Sequence, residues 1–168
     1  MVVAAAFLLA ACSTASDDGA GSGSSGNAAA TTSGSGTNVA TTTPGSGAKP
    51  GSQLDLEINV GDRVFFGFDK STLTAEGRTT VERWGAWLVT YPANKIMIEG
   101  HADERGTREY NLALGERRAN ASREYLVSLG IDPNRVKTIS YGKERPAIPG
   151  SSENAYAQNR RSVVALAK

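Results

Sequence analysis

The side chains best equipped for chemistry crowd into one stretch of this 168-residue chain, Glu99-Gly100-His101-Ala102-Asp103-Glu104-Arg105-Gly106-Thr107, which runs on through Asn111 and Leu114 to Arg117-Arg118-Ala119. Asp103 and Glu104 offer paired carboxylates, the equipment of a glycosidase. Neighbours on one short loop cannot easily flank a glycosidic bond, however. His101 is the only histidine and Cys12 the only cysteine, too few for a zinc site of three or four ligands. No serine sits in a Gly-x-Ser-x-Gly elbow. Recognition by charge remains: Asp103 is an anion, and the guanidinium of Arg118 keeps its proton.

Periodicity sharpens the case for Arg118. At about 100° per residue with Leu114 as origin, Tyr125 falls near 20°, Arg118 near 40°, Asn111 and Leu129 near 60° and Ser122 near 80°. Arg118 therefore belongs to the apolar stripe of its helix and needs an anionic partner there. Two arrangements satisfy the spacing: an internal Asp103–Arg118 ion pair that fixes the loop, or a cradle in which Arg118 meets the carboxylate of a ligand.

The elements that must position these residues can be read around them. Leu54, Leu56, Ile58 and Val60 alternate with Asp55, Glu57 and Asn59, the period of a half-buried strand. A second short strand reads across 63–68. Thr74 caps a helix carrying Val81, Trp84, Leu88 and Tyr91 at helical spacing until Pro92 stops it. In that setting Trp84 and Trp87 are core and flank rather than a sugar-stacking platform. Residues 95–99 form the next strand, which enters the polar loop. Thr107 caps the second long helix, which reaches Leu129 with Gly130 behind it. A strand over 136–141, a helical turn near 153–157 and a last strand over 161–167 complete an α/β (α+β) two-layer sandwich. A strand running into a loop and then a helix N-terminus is a favoured ligand site, because the helix end supplies free N–H groups and partial positive charge.

The net charge of +1, with 21% charged residues, gives no electrostatic reason to expect nucleic acid as partner. Residues 1–11 are an unbroken apolar run ending in small residues. They are too short to span a bilayer but fit a secretory signal. Leu9-Ala10-Ala11-Cys12 resembles the lipobox of bacterial lipoproteins, in which the cysteine is acylated. Ser13, where an Asp would favour inner-membrane retention, implies export to the outer membrane. No basic residue precedes the apolar run, which predicts a translation start further upstream. From residue 13 to 53 the chain is almost entirely Gly, Ser, Ala, Thr and Asn, the composition of a disordered linker with an r.m.s. span of about 35 Å. The expected organisation is a signal over 1–11, acylated Cys12 and linker over 12–53, and a globular domain over 54–168.

The stretch from Gly100 to Ala119, with Phe68-Asp69-Lys70 upstream and Tyr141-Gly142-Lys143-Glu144-Arg145-Pro146 and Asn159-Arg160-Arg161 downstream, resembles the peptidoglycan-associated lipoprotein family. That family lies within the OmpA-like group of peptidoglycan-binding domains. The resemblance covers essentially the whole chain and implies a βαβαβ domain with a mixed sheet. It implies non-covalent binding of the peptidoglycan stem peptide, centred on diaminopimelate, with no metal or cofactor. It also implies a role in the Tol-Pal system of envelope integrity and cell division, with the propeller protein TolB among the partners. In the group pattern Asn-x-x-Leu-Ser-x-x-Arg-Ala, Asn111, Leu114, Arg118 and Ala119 match, while Gly115 stands for Ser and is expected to loosen the helix slightly. The binding aspartate maps to Asp103. The free end of diaminopimelate carries an ammonium and a carboxylate on one carbon. Asp103 can accept from the first and Arg118 can grip the second, whereas lysine lacks that carboxylate.

The remaining residues take plainer roles. His101 is expected to be structural at the strand end. Phe68, Thr107, Asn111 and Leu114 are candidates for the rim of the site, and Asp69 serves as rim or as loop cap. Glu104 and Arg105 are exposed loop charges or contributors to the site or to a partner, and Arg160 and Arg161 are surface charges or have a secondary role near the binding cleft. The rival functions are a cell-wall hydrolase and a purely protein-interaction module.

Overall fold

The computed structural model describes residues 47–167. The expected signal over 1–11, the acylated Cys12 and the linker up to residue 46 lie outside the described residues.

The alternation over 54–60 does not make a strand. Gln53–Asp55 form a helical turn, α1, and Leu56–Val60 continue it as a π-helix. Side chains decide the winding. The Ser52 hydroxyl accepts from Asp55 N at 3.2 Å. The Asp55 carboxylate then accepts from Gly51 N at 2.9 Å, Asn59 Nδ2 at 2.7 Å and Trp87 Nε1 at 2.8 Å. Gly61, at φ 90°, closes the turn by donating to Leu56 O. Of the four alternating residues only Leu56 is fully buried, while Leu54 and Ile58 face solvent. The fold also takes in Gln53, whose Oε1 accepts from Leu166 N at 2.7 Å.

The other expected elements form. Strand β1 is Arg63–Phe65, α2 Ala75–Thr90, β2 Ile96–His101, α3 Arg108–Ser128, β3 Val136–Gly142, α4 Glu153–Asn159 and β4 Arg161–Leu166. Thr74 and Thr107 cap α2 and α3 through their hydroxyls, satisfying N–H groups that helix starts leave open. The sheet runs β1-β4-β2-β3. Strands β2 and β3 are parallel and joined by α3, whereas β4 lies antiparallel between β1 and β2. Helices α2 and α3 pack against each other and against the sheet, giving the two-layer sandwich with a mixed sheet. Leu56, Phe66, Trp84, Leu88, Ile98 and Leu126 are among the side chains that fill the space between layers. Both indoles are tied as well as buried: Trp84 Nε1 donates to Gly61 O at 2.6 Å, and Trp87 Nε1 to Asp55.

One contact sets how close α3 comes to the sheet. A Cβ on Gly100 would lie 1.8 Å from Gly115 O; one on Gly115 would lie 2.4 Å from Ser140 Oγ and 2.8 Å from Gly100 O. Gly115 is thus a packing requirement here, beyond any loss of helix propensity. It brings Arg118, less than one turn further on, against the end of β2, where the register with β3 shifts between Gly100 and His101.

Candidate functional site

Arg118 projects from the inner face of α3 and is completely buried, with 0% of its surface exposed. Its Nε donates to Lys70 O at 2.8 Å, Nη1 to His101 O at 2.7 Å and Nη2 to Gly67 O at 3.2 Å. Carbonyls from the loop after β1 and from the end of β2 therefore harness the guanidinium, which also lies 5.3 Å from the centroid of Phe66. A guanidinium carries five N–H donors, so among the described residues one on each terminal nitrogen has no protein partner. Burial pulls the Arg118 pKa down to about 10, which leaves it a cation at neutral pH. Among the described residues Arg118 makes no ion pair, so the internal Asp103–Arg118 pair is not the arrangement that forms.

Asp103 is also buried, and its carboxylate is held by other arginines. Arg105 donates to it from Nη2 at 2.6 Å, from Nε at 3.2 Å and from its backbone N at 3.2 Å. Arg160 Nη1 stands 3.5 Å from Oδ2. Burial by itself would raise the carboxyl, but the hydrogen bonds from Arg105 outweigh it and hold the group below the usual range. Arg105 is not an idle loop charge: its guanidinium lies 4.2 Å from the ring centroids of both Phe68 and Tyr156. Nor are Arg160 and Arg161 surface charges, since both are buried. Arg160 donates from Nε to Phe66 O at 3.0 Å and from Nη1 to Glu153 Oε1 at 2.8 Å.

Between Asp103 and Arg118 opens a cavity of about 260 Å³. Phe68 and Asp69 wall it from the loop after β1; Asn111 and Leu114 wall it from α3. Asp69 takes a left-handed φ of 55° and accepts from the hydroxyl of Tyr110, so it both closes its loop and borders the cavity. Asn111 donates to Arg105 O at 2.8 Å and thereby pins the 102–106 loop. Thr107 is exposed, accepts from Tyr110 N as the helix cap, and does not line the cavity. The carbonyl of His101 serves Arg118 while its ring is buried with neither nitrogen hydrogen-bonded.

Arg105, Gly106 and Tyr110 also line the cavity. Tyr110 had a legible signal, because it precedes Leu114 and Arg118 at intervals of four and so shares their face. Arg105, read from the sequence as a loop charge or a contributor to the site, had no periodic signal to decide between the two, since it lies on a loop beside two other charges.

The site thus sets an ionised carboxylate and a buried cation with unused donors around one opening. That pattern suits a small ligand carrying both charges better than it suits bond cleavage. A family model for the OmpA family matches residues 65–160. The chain is 56% identical over 119 residues to a peptidoglycan-associated lipoprotein of Rhizobium meliloti, covering 71% of this chain and 68% of the relative. It is 53% identical to one of Brucella melitensis, covering 71% of each. The crystal structure of the peptidoglycan-associated lipoprotein from Burkholderia pseudomallei superposes with a TM-score of 0.61 at 38% identity, covering 63% of this chain and 90% of that one. By its sequence, its fold and its match to the family model, the chain belongs to the OmpA family, among the peptidoglycan-associated lipoproteins.

Proposed function

We propose that this protein binds peptidoglycan without altering it, through the diaminopimelate of the stem peptide, and that acyl chains on Cys12 tether it to the outer membrane facing the periplasm. The relatives' names support the peptidoglycan part. The observation that carries the rest is the cavity lined by both Asp103 and Arg118, whose guanidinium keeps two N–H donors beyond its three bonds to carbonyls. An ammonium and a carboxylate on one carbon can meet both, and opposite charges in a dry setting attract strongly. Phe68 and Leu114 supply apolar walls for the methylenes, with Asp69 and Asn111 at the rim and Thr107 outside it. Several acyl chains at about 0.8 kcal/mol per buried methylene give a lasting anchor. In this reading the protein joins membrane to wall within the Tol-Pal system, with TolB and other Tol components as protein partners. It uses no cofactor or metal.

Purified protein is to be incubated with sacculi, the bound fraction pelleted, and the supernatant assayed for released muropeptides. Binding with no release supports the proposal. Release of fragments would make the protein a hydrolase, and failure to pellet would leave a protein-interaction module. Asp103→Asn removes one charge of a desolvated contact at a cost of about 2–5 kcal/mol, roughly thirty- to several-thousand-fold in affinity. Pull-down of that variant is expected to vanish.

A further inference from the structure

The carboxylate that would receive a ligand's ammonium is already occupied by a cation of the protein's own. We propose that Arg105 is a resident counter-ion that an incoming ammonium must displace from Asp103, and that Glu153 is the seat to which it moves. The proposal rests on the ligand reading above and concerns how that site is controlled.

Two arginines touch Asp103, and they are held differently. The Arg160 side chain is 9% exposed, tied to Phe66 O and to Glu153, and stands 3.5 Å from the carboxylate. It is a fixture. The Arg105 side chain is 35% exposed, and among the described residues its guanidinium hydrogen-bonds only to Asp103. It also lines the cavity, so it stands where a ligand cation must approach. Its Nη1 is already 3.5 Å from Glu153 Oε2, a carboxylate 67% exposed at the start of α4.

The surroundings suit exchange between two seats. The rings of Phe68 and Tyr156 each lie 4.2 Å from the Arg105 guanidinium. Contacts of that kind hold a planar cation over ring faces without fixing its place along them. Tyr156 is steadied by its hydroxyl bond to Glu104 Oε1 at 2.9 Å, and Phe68 is exposed. The loop beneath stays anchored by Asn111 on the Arg105 carbonyl and by Lys143 on those of Glu104 and Gly106. Movement is therefore confined to the Arg105 side chain. Exchange keeps the charge beside Asp103 balanced throughout, so the buried carboxylate is never left bare, a state that is costly in a desolvated setting. It also makes Arg105 a specificity residue: a ligand whose amine is acylated brings no cation, cannot displace the guanidinium, and finds Asp103 closed.

The test is calorimetric titration of the full chain with a diaminopimelate-containing stem peptide, for wild type, Arg105→Gln and Glu153→Gln. Removing the competitor is expected to tighten binding roughly three- to tenfold, the scale of a part-exposed ion pair. Removing the second seat is expected to weaken it, because Arg105 then has nowhere to go. The Arg105→Gln gain is expected to disappear in the Asp103→Asn background. If wild type binds and Arg105→Gln binds equally or more weakly, the resident-ion proposal is overturned while the ligand reading stands. If wild type and both variants all fail to bind, the ligand reading fails and this proposal falls with it.

Discussion

Replacing Arg118 with lysine separates the two jobs the structure gives that side chain. The guanidinium serves carbonyls of Lys70, His101 and Gly67 through three different nitrogens. A lysine carries its donors on one nitrogen and, at this burial, can satisfy one of the three. Two of the three bonds are then lost; the one to His101 O is buried, those to Lys70 O and Gly67 O are part-buried, and Gly67 O keeps its bond from Lys70 N. A hydrogen bond to a charged group is worth about 1.5–3 kcal/mol, and water reaching the part-buried carbonyls keeps the expected total to about 3 kcal/mol. Urea unfolding followed by tryptophan fluorescence measures it, with Trp84 and Trp87 as core reporters. The expectation is a lower midpoint with an unchanged m-value. A loss below about 1 kcal/mol would show that the carbonyl harness is not what holds the loop to β2. The same variant keeps a positive charge yet loses the planar fork, so it is expected to bind stem peptide poorly even where it is folded.

Other tests follow from particular contacts. Burial, then the positive charges of Arg161 and Arg145, push the His101 imidazole down to about 4; Glu99 Oε2, 3.7 Å from Nε2, is too far to hydrogen-bond it. The unfolded chain takes up this proton near pH 6.5 and the folded chain only near 4, so stability is complete above about pH 6.5. It falls by about 3 kcal/mol as pH drops toward 4; unfolding curves across that range check it, and His101→Gln is expected to lose the slope above pH 5. Gly115→Ala puts a methyl 2.4 Å from Ser140 Oγ and 2.8 Å from Gly100 O, which is expected to cost about 1–3 kcal/mol in thermal or urea unfolding. Trp87→Phe removes the indole donor to Asp55 and is expected to cost about 1–3 kcal/mol, read in the same assay.

Most of the architecture was legible because it follows from local rules. Thr74 and Thr107 stand at N-cap positions ahead of periodic apolar residues, and Gly130, at φ 92°, ends the second helix as glycine should. The burial of Arg118 could be read from its angle on that helix. What it bonds could not, since backbone carbonyls of Gly67, Lys70 and His101 leave no mark in the sequence. The alternation at 54–60 misled because Leu54 and Ile58 are exposed apolar residues that happen to fall two apart from Leu56. The winning interactions there came from Ser52 and Asp55, the latter bonded to Trp87 across 32 positions. The burial of Arg160 was likewise invisible, because its partners Phe66, Glu153 and Asp103 come from three separate segments.

The proposed cradle of Asp103 and Arg118 for a zwitterion is to be tested by titrating the protein with two stem peptides that differ only in carrying diaminopimelate or lysine. Binding of the first, with the second weaker by at least about thirtyfold for want of the carboxylate that Arg118 grips, is the predicted result. Equal affinity for the two peptides would contradict it.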